Sequence, residues 1–210
     1  MLGLLGDGGY DRGARAGQIA AGLRANGDRQ QPREQLALQL DDRALFLARW
    51  HALLTRLLDE PAVRDAPLRR ELRDVLQRWS GRAQVDDAAY RLVRTFRDET
   101  QRRVFYALIA PARAAHPDFQ FRAPGSFEGP LWQLVEQQPA HLLPPGYADW
   151  RAFLLAAVDA TVNGLAADCP RLADCTWGAY NTSRIRHPLS SALPPLAAWL
   201  DMEALPLPGD

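Results

Sequence analysis

The sequence predicts an all-α fold of five to six helices joined by long loops. Apolar residues recur every three to four positions in several segments, which is typical of a helix face turned toward a core. No segment shows the sustained alternation of apolar and polar residues that predicts a strand. The 210 residues, 47% hydrophobic and 24% charged, suffice for one globular unit, so residues 1–210 are interpreted as a single helical segment.

Two helices are predicted in the N-terminal part. Asp11 is expected to cap the first, on which Ala14, Ile19 and Leu23 share one face. Pro32 is expected to open a second, shorter helical turn, because proline is favoured at the first position of a helix.

Two amphipathic helices follow. Asp41 or Asp42 is expected to cap the first and Pro61 to stop it. The apolar face of that helix comprises Phe46, Trp50, Leu53, Leu54 and Leu57. The face of the next comprises Leu68, Leu72, Val75, Leu76 and Trp79, with Gly81 just past its end.

The longest helical pattern begins at Asp86 and Asp87 and is expected to end or kink at Pro111. Its apolar stripe comprises Leu92, Val93, Phe96, Val104 and Leu108. A short helix is predicted over LWQLVEQQ, and a longer one carries Trp150, Leu154, Val158, Val162 and Leu165 on one side. After Cys169 the chain is irregular, with one more helical turn expected over 197–202. Long loops in a helical unit indicate a piece that packs against something larger.

Charge and hydropathy exclude several classes of protein. The 25 basic and 25 acidic residues cancel, which argues against a nucleic-acid partner. All 25 basic residues are Arg and the sequence contains no Lys, so the chain offers no Schiff-base or phosphate-binding lysine. No run approaches the roughly 20 apolar residues of a membrane span, and MLGLLGDGGY lacks the basic region of a signal peptide.

Two cysteines, Cys169 and Cys175, lie six positions apart. They are expected either to form a disulfide in an oxidising compartment or to be two buried thiols. Without a nearby histidine they make a poor zinc site, and the four scattered histidines form no metal-binding motif, so no metal site is predicted.

The loop DCTWGAYNTSRIRHPLSS could hold a Ser–His–acid triad built from His187, Asp174 and one of three serines, Ser183, Ser190 and Ser191. Triads are defined by geometry rather than by closeness in sequence, and the chain has no G-x-S-x-G elbow. His187 precedes a proline, a setting in which the imidazole often bonds to backbone. The sequence therefore favours a structural role for His187 and predicts no self-contained catalytic set.

Four segments together resemble the penicillin amidase family. They are GDGGYDRGARAGQI, LALQLDDRALFLARWHALL, LQRWSGRAQVDDAAYRLVRTFR and TWGAYNTSRIRHPLSSALPPLAAWLDMEALPLPGD. The second is similar to the family's Q-x-D helix. The third carries Asp87 where the family more often has Ser, and the fourth is similar to its W-G, H-P-L and P-x-P-G-D stretch. In order, these segments span nearly the whole chain.

The resemblance implies an N-terminal-nucleophile hydrolase, an α/β sandwich in which a serine at the start of the large subunit attacks an amide carbonyl. The nucleophile serine and the oxyanion Asn are expected upstream of this chain, and the family's final strands beyond it. This chain would be a helical part of the large (beta) subunit, inactive alone, with the rest of the precursor as its partner. No cofactor is implied, and family members are often periplasmic or secreted.

One element of the family's site has a match here. The family places an arginine near the nucleophile on a helix of the form R-x-x-x-I, and Arg15 with Ile19 fits that spacing. Arg15 would orient the substrate or the nucleophile; the other interpretation is a solvated helix arginine. Trp177 and His187 fit family positions that are interpreted as structural. A free-standing helical binding or scaffold module is the alternative function, with exposed Trp-rich faces as its partner surface.

Overall fold

The computed structural model describes residues 13–27, 31–119 and 121–209. Twelve α-helices form within these ranges, and the β-pairing found there is limited to two isolated antiparallel bridges. The all-α prediction is therefore confirmed. The helices outnumber the five to six expected because five of them are pieces of four to six residues inside segments that look irregular in sequence.

In chain order the helices are α1 (Ala14–Asn26), α2 (Pro32–Gln39), α3 (Ala48–Leu57), α4 (Glu60–Val63), α5 (Pro67–Leu76), α6 (Ala88–Leu108), α7 (Ala110–Ala115), α8 (Glu128–Gln137), α9 (Trp150–Ala166), α10 (Trp177–Tyr180), α11 (Pro188–Ala192) and α12 (Ala197–Leu200). Four 3-10 turns lie between them, at Gly125–Phe127, Ala140–Leu142, Leu172–Asp174 and Pro194–Leu196. No helix in the described ranges has both the length and the apolar character needed to span a bilayer.

The core lies where α3, α5, α6, α8 and α9 meet, and these five helices are called the helical body below. Its largest fully buried side chains are Trp50, Tyr90, Phe96, Phe153, Leu54, Leu58, Leu72, Leu92, Leu131, Leu154, Leu172 and Val63. Each buried Leu or Phe contributes roughly 1.5–3 kcal/mol relative to an exposed one, so this face of each helix determines the packing. The predicted stripe of α6 is buried except for Leu108, which is exposed at the helix end.

Aspartate side chains cap the N-termini of the two long helices of the helical body. The carboxylate of Asp87 accepts a hydrogen bond from the Tyr90 backbone N at 2.7 Å, and that of Asp149 accepts one from Ala152 N at 2.7 Å. Such caps stabilise a helix by typically about 1 kcal/mol. The sequence prediction for Asp87 is confirmed. The prediction for Pro111 is also confirmed, because α6 ends at Leu108 and the proline lies in the first turn of α7.

The predicted cap at Asp41 or Asp42 is wrong. Helix α3 begins only at Ala48, with no side-chain cap. Residues 42–44 instead pair with 81–83: Ala44 N donates to Gly81 O at 2.7 Å, and Ala83 N donates to Asp42 O at 2.8 Å. This pairing uses the backbone groups with which an earlier helical turn would begin. Pro61 does follow the end of α3, but it lies in the first turn of α4 rather than in a loop.

Helix α1 lies outside the core. The predicted cap Asp11 falls outside the described residues, and the N-cap position is Gly13, whose φ of 69° lies in the left-handed region that favours glycine. No residue of α1 is buried. The predicted apolar face, with Ile19 and Leu23, is therefore present on the helix but does not join the core.

Candidate functional site

A cavity of about 670 Å³ lies between α1, the loop after α2, the start of α6 and the end of the described chain. Its wall combines aromatic rings with charged and amide groups, including Arg15, Asp41, Tyr90, Trp177, Tyr180 and Asn181. Concave sites with a few convergent polar groups are the usual form of small-molecule pockets. Two residues that the sequence singled out, Arg15 and Trp177, thus line the same cavity.

Arg15 is fixed by backbone carbonyls at the end of α2. Its Nη2 donates to Leu38 O at 2.7 Å and to Gln39 O at 2.8 Å, and its Nη1 donates to Asp41 O at 2.5 Å. The last carbonyls of a helix carry its partial negative charge, so they stabilise a cation there. The guanidinium is therefore oriented at the cavity wall through dipoles, without a carboxylate among these partners.

Asp41 organises the turn that holds Arg15. Its carboxylate accepts hydrogen bonds from Arg43 N at 3.1 Å, Nε at 2.8 Å and Nη2 at 2.7 Å, and from Gln18 Nε2 at 3.3 Å. The side-chain hydrogen bond from the Arg43 guanidinium, above all, holds the pKa of the Asp41 carboxyl well below its usual range. Asp41 is therefore an anion at neutral pH, and it links α1 to the turn after α2.

Trp177 and Gly178 attach the opposite wall. Trp177 packs edge-on against Tyr90 at 4.9 Å between ring centroids, and its Nε1 donates to Gly209 O at 2.8 Å. The Gly178 backbone N donates to Val85 O at 2.7 Å. A Cβ at position 178 would lie 2.8 Å from Val85 O, so this close approach requires glycine. The WG pair thus joins the start of α6 to the end of the described chain.

His187 takes a structural position outside this cavity. Its Nδ1 accepts a hydrogen bond from Leu189 N at 3.2 Å, and its backbone N donates to the Asp201 carboxylate at 2.9 Å. The Ser190 hydroxyl also donates to Asp201. The hydrogen bond from this hydroxyl is the largest influence, and together with the backbone hydrogen bond from His187 N and the charge of Arg186 it lowers the pKa of the Asp201 carboxyl.

The groups of the hypothetical triad are not brought together. Asp174 is ion-paired with Arg171, whose Nη2 lies 2.7 Å from the carboxylate, rather than with His187. Ser190 donates to Asp201, and the imidazole uses Nδ1 on the backbone. The loop therefore braces the chain between α10 and α12.

Cys169 and Cys175 form a disulfide, with their Cα atoms 5.6 Å apart. Both residues are buried, and Nη1 of the buried Arg91 lies 4.0 Å from Cys169 Sγ. Within the closed loop, Leu172 N donates to the Glu71 carboxylate at 2.6 Å, which ties the loop to α5. The disulfide therefore fixes the segment that leads into Trp177. Within the described ranges, no three His, Cys, Asp or Glu side chains gather into a group suited to a metal ion.

The sequence pattern pointed to Arg15 and Trp177 but gave no role to Gln18 or Asn181. Asn181 Nδ2 donates to Leu207 O at 2.9 Å and to Gly209 O at 3.2 Å, so it helps to close the cavity wall. Gln18 lies one helical turn after Arg15, and this spacing is the one feature of the sequence that places Gln18 beside Arg15. The partners of both amides are distant in sequence, and periodicity alone does not reveal such contacts.

The family model described as penicillin amidase matches residues 4–210 of the chain. The matched range includes Arg15, the disulfide, Trp177 and the segment that ends at Gly209. Among curated proteins, none matches the sequence.

Proposed function

Because this chain belongs to the penicillin amidase family, we propose that it is the helical part of the large subunit of an acylase. The family implies a hydrolase as the intact parent. We expect that parent to cleave an amide between an acyl group and an amine, with β-lactam or acyl-homoserine-lactone-like compounds as the substrate class. The match over residues 4–210 is the observation that carries the proposal.

The proposed chemistry needs a nucleophile, a base and an oxyanion site. A serine at the start of the large subunit supplies its hydroxyl, and its own α-amine takes the proton as the hydroxyl attacks the amide carbonyl. Backbone N–H groups and an Asn side chain stabilise the resulting oxyanion. The carbon–nitrogen bond then breaks, the protonated α-amine gives its proton to the leaving amine, and the acyl group stays on the serine as an ester. Water attacks this ester, with the α-amine again taking and returning a proton, and releases a carboxylic acid and the free serine hydroxyl. The proposal assigns these groups to the part of the parent that precedes this chain.

Arg15 is the residue of this chain that we assign to the site. Three backbone carbonyls hold its guanidinium at the cavity wall, so it presents a fixed positive charge. Arginine differs from lysine in offering a rigid planar set of donors. In the parent, Arg15 would orient the substrate or the backbone of the nucleophile.

Two features support an oxidising location and a larger assembly. The Cys169–Cys175 disulfide is the kind of bond that persists in the periplasm or outside the cell. Exposed apolar side chains, including Trp199 at 86% and Ile185 at 58% of full exposure, offer surface for the remainder of the precursor. We therefore propose a periplasmic or secreted parent in which this chain packs against the strand-rich part.

The proposal is tested in the full reading frame that encodes this chain, with a chromogenic acyl amide as substrate. Arg15→Ala is expected to lower kcat/KM by about 100-fold, because misplaced reacting groups cost about that much. Arg15→Lys should recover little of the loss, and the exposed Arg33→Ala on α2 serves as the control with unchanged kinetics. The 210-residue chain alone should give no turnover. Wild-type activity in Arg15→Ala would refute the role of Arg15, and an inactive parent would refute the acylase assignment.

A free-standing binding module is the second candidate, favoured by the same exposed apolar side chains. It predicts that the isolated chain is monodisperse in sedimentation and melts in one cooperative transition. The first candidate predicts self-association through surface that the parent would cover. Sedimentation velocity over a range of concentrations separates the two.

A further inference from the structure

The segment after α10 folds back on the end of the described chain as a two-stranded ribbon, here called the C-terminal ribbon (residues 181–187 and 201–207). Ser183 N donates to Leu205 O at 2.8 Å, and Leu207 N donates to Asn181 O at 2.8 Å. Met202 N donates to Ile185 O at 3.1 Å. These bonds run antiparallel, as the bridge between Thr182 and Pro206 indicates.

The odd-numbered residues of the first strand (residues 181–187) direct their backbone N–H and C=O groups toward the second strand. In an extended strand the residues between them direct their N–H and C=O groups to the opposite edge, and here these residues are Arg184 and Arg186. Within the described part of the chain, neither forms a backbone–backbone hydrogen bond, and both are exposed. The first strand therefore has an open edge.

The second strand is protected at its outer edge. Pro206 lies at the outward-facing position there and Pro208 directly follows the strand, and proline has no N–H to donate. Proline at an edge is a known means of preventing the addition of another strand. The contrast between the two edges limits strand addition to the side that carries Arg184 and Arg186.

The open edge also has a defined side-chain pattern. By the alternation of an extended strand, Arg184 and Arg186 lie on one face and Ile185, which is 58% exposed, lies on the other. Arg184 Nη1 also donates to Thr182 O at 3.4 Å. Opposite charges directly across two strands stabilise the pairing, and like charges destabilise it. A strand that fits this edge therefore carries acidic side chains at alternate positions, with an apolar residue between them.

We propose that the edge formed by Arg184–Arg186 binds an extended strand of this acidic, alternating type, contributed by the remaining part of the acylase parent. The inference rests on the proposed function for the source of that strand. A two-stranded ribbon alone is marginal in water, and a third strand stabilises it. Main-chain hydrogen bonds supply the affinity of such strand addition, and the alternating side chains supply the specificity.

The test uses the 210-residue chain and a short synthetic peptide in which glutamate alternates with valine. Amide exchange followed by NMR is expected to slow several-fold at Arg184 and Arg186 when the peptide is present. The amides of Ser183 and Leu207 already have partners and should change little. A matched peptide with lysine in place of glutamate is the control and should give no protection.

The double variant Arg184→Glu/Arg186→Glu is expected to bind the glutamate peptide about tenfold more weakly, since two cross-strand charge pairs are reversed. The same variant should gain affinity for the lysine peptide, which shows that it remains folded. Unprotected amides at saturating peptide would overturn the proposal, and so would equal protection by both peptides. Concentration-dependent protection of Arg184 and Arg186 that the glutamate peptide does not displace would show that a second copy of the chain is the occupant, which also overturns it.

The peptide experiment measures no catalysis. An inactive parent combined with selective peptide binding would overturn the acylase function and the source of the strand, while the strand-binding edge would stand. If the parent is active but the Arg184 and Arg186 amides stay unprotected, the acylase function stands and the strand-binding edge is overturned.

Discussion

The helical body and the C-terminal ribbon are held together in different ways. The helical body buries its large apolar side chains, and its interior charges are paired. The C-terminal ribbon is held mainly by backbone hydrogen bonds and exposes Ile185, Leu205 and Leu207 to solvent. The helical body buries its apolar side chains with residues of this chain alone, so its packing needs no other part of a protein. The C-terminal ribbon has an apolar composition that its own contacts do not bury, as expected of a surface that meets another part of a protein.

Glu128 shows the difference most sharply. This buried carboxylate at the start of α8 accepts from Arg97 Nη2 at 2.6 Å, from Arg49 Nη2 at 2.6 Å and from Trp50 Nε1 at 2.9 Å. Its side chain and that of Arg97 are 7% and 5% exposed. One acidic residue thus joins α3, α6 and α8, whereas the ribbon contains no comparable buried ion pair among the described residues.

The largest effect is expected from Glu128→Gln. The change removes the buried negative charge between Arg97 and Arg49, and Arg97 is left with its pair to Asp98, 2.6 Å away, whose side chain is 45% exposed. Breaking a buried pair costs about 3–5 kcal/mol. Urea unfolding followed by circular dichroism measures the loss. The control is Glu60→Gln, because Glu60 is 79% exposed and pairs with Arg73 at the surface, where such pairs contribute at most about 1 kcal/mol. Equal losses in the two variants would contradict the conclusion that the buried Glu128 pairs hold the helical body together.

An intermediate effect is expected from leucine truncation. Leu154→Ala removes a fully buried side chain from α9 and should destabilise the chain by about 2–5 kcal/mol. Leu193→Ala removes a side chain that is 53% exposed in the segment between the strands of the ribbon, and it should stay within about 0.5 kcal/mol. The same unfolding experiment compares them. A large loss for Leu193→Ala would show that this segment is part of the core.

The smallest effect is a pH dependence confined to the C-terminal ribbon. The folded pKa of Asp201 is lowered, so its stabilising effect is present above the unfolded value of about 4 and is lost as the pH falls through the folded value. Acidification should therefore lower the protection factor of the His187 amide, the factor by which it exchanges more slowly than an unstructured amide at the same pH, before it affects amides in α6 and α9. The variant Asp201→Asn should show a low protection factor at this amide already at neutral pH. An unchanged protection factor at His187 N across the acid range would be the contrary result.

The fold class could be predicted because helical periodicity is a local property of α3, α5, α6 and α9. The short helices could not be predicted, because α10 and α11 are each stabilised by a cap and a few tertiary contacts and have no apolar stripe. The error at Asp41 and Asp42 has the same origin. An aspartate before an apolar run usually caps a helix, but here the backbone of 42–44 pairs with 81–83.

The candidate site was predictable only in part. The family spacing singled out Arg15, and its proximity to Trp177 required the fold, since the two residues lie far apart in the chain. The carbonyls that orient Arg15 carry no side-chain signature. The Asp41 carboxylate that stabilises their turn was visible in the sequence as a conspicuous acidic pair, but its partner Arg43 gave no sign of its role.

The disulfide has a practical consequence for peptide mapping. Arg171 lies inside the loop that Cys169 and Cys175 close, and its side chain is 72% exposed. Trypsin acting after Arg171 would leave both halves covalently joined, so a nicked sample would run as one band in a non-reducing gel and separate only after thiol treatment. An intact mass measured without reductant therefore reports the hydrolysed bond as one added water, not as two fragments.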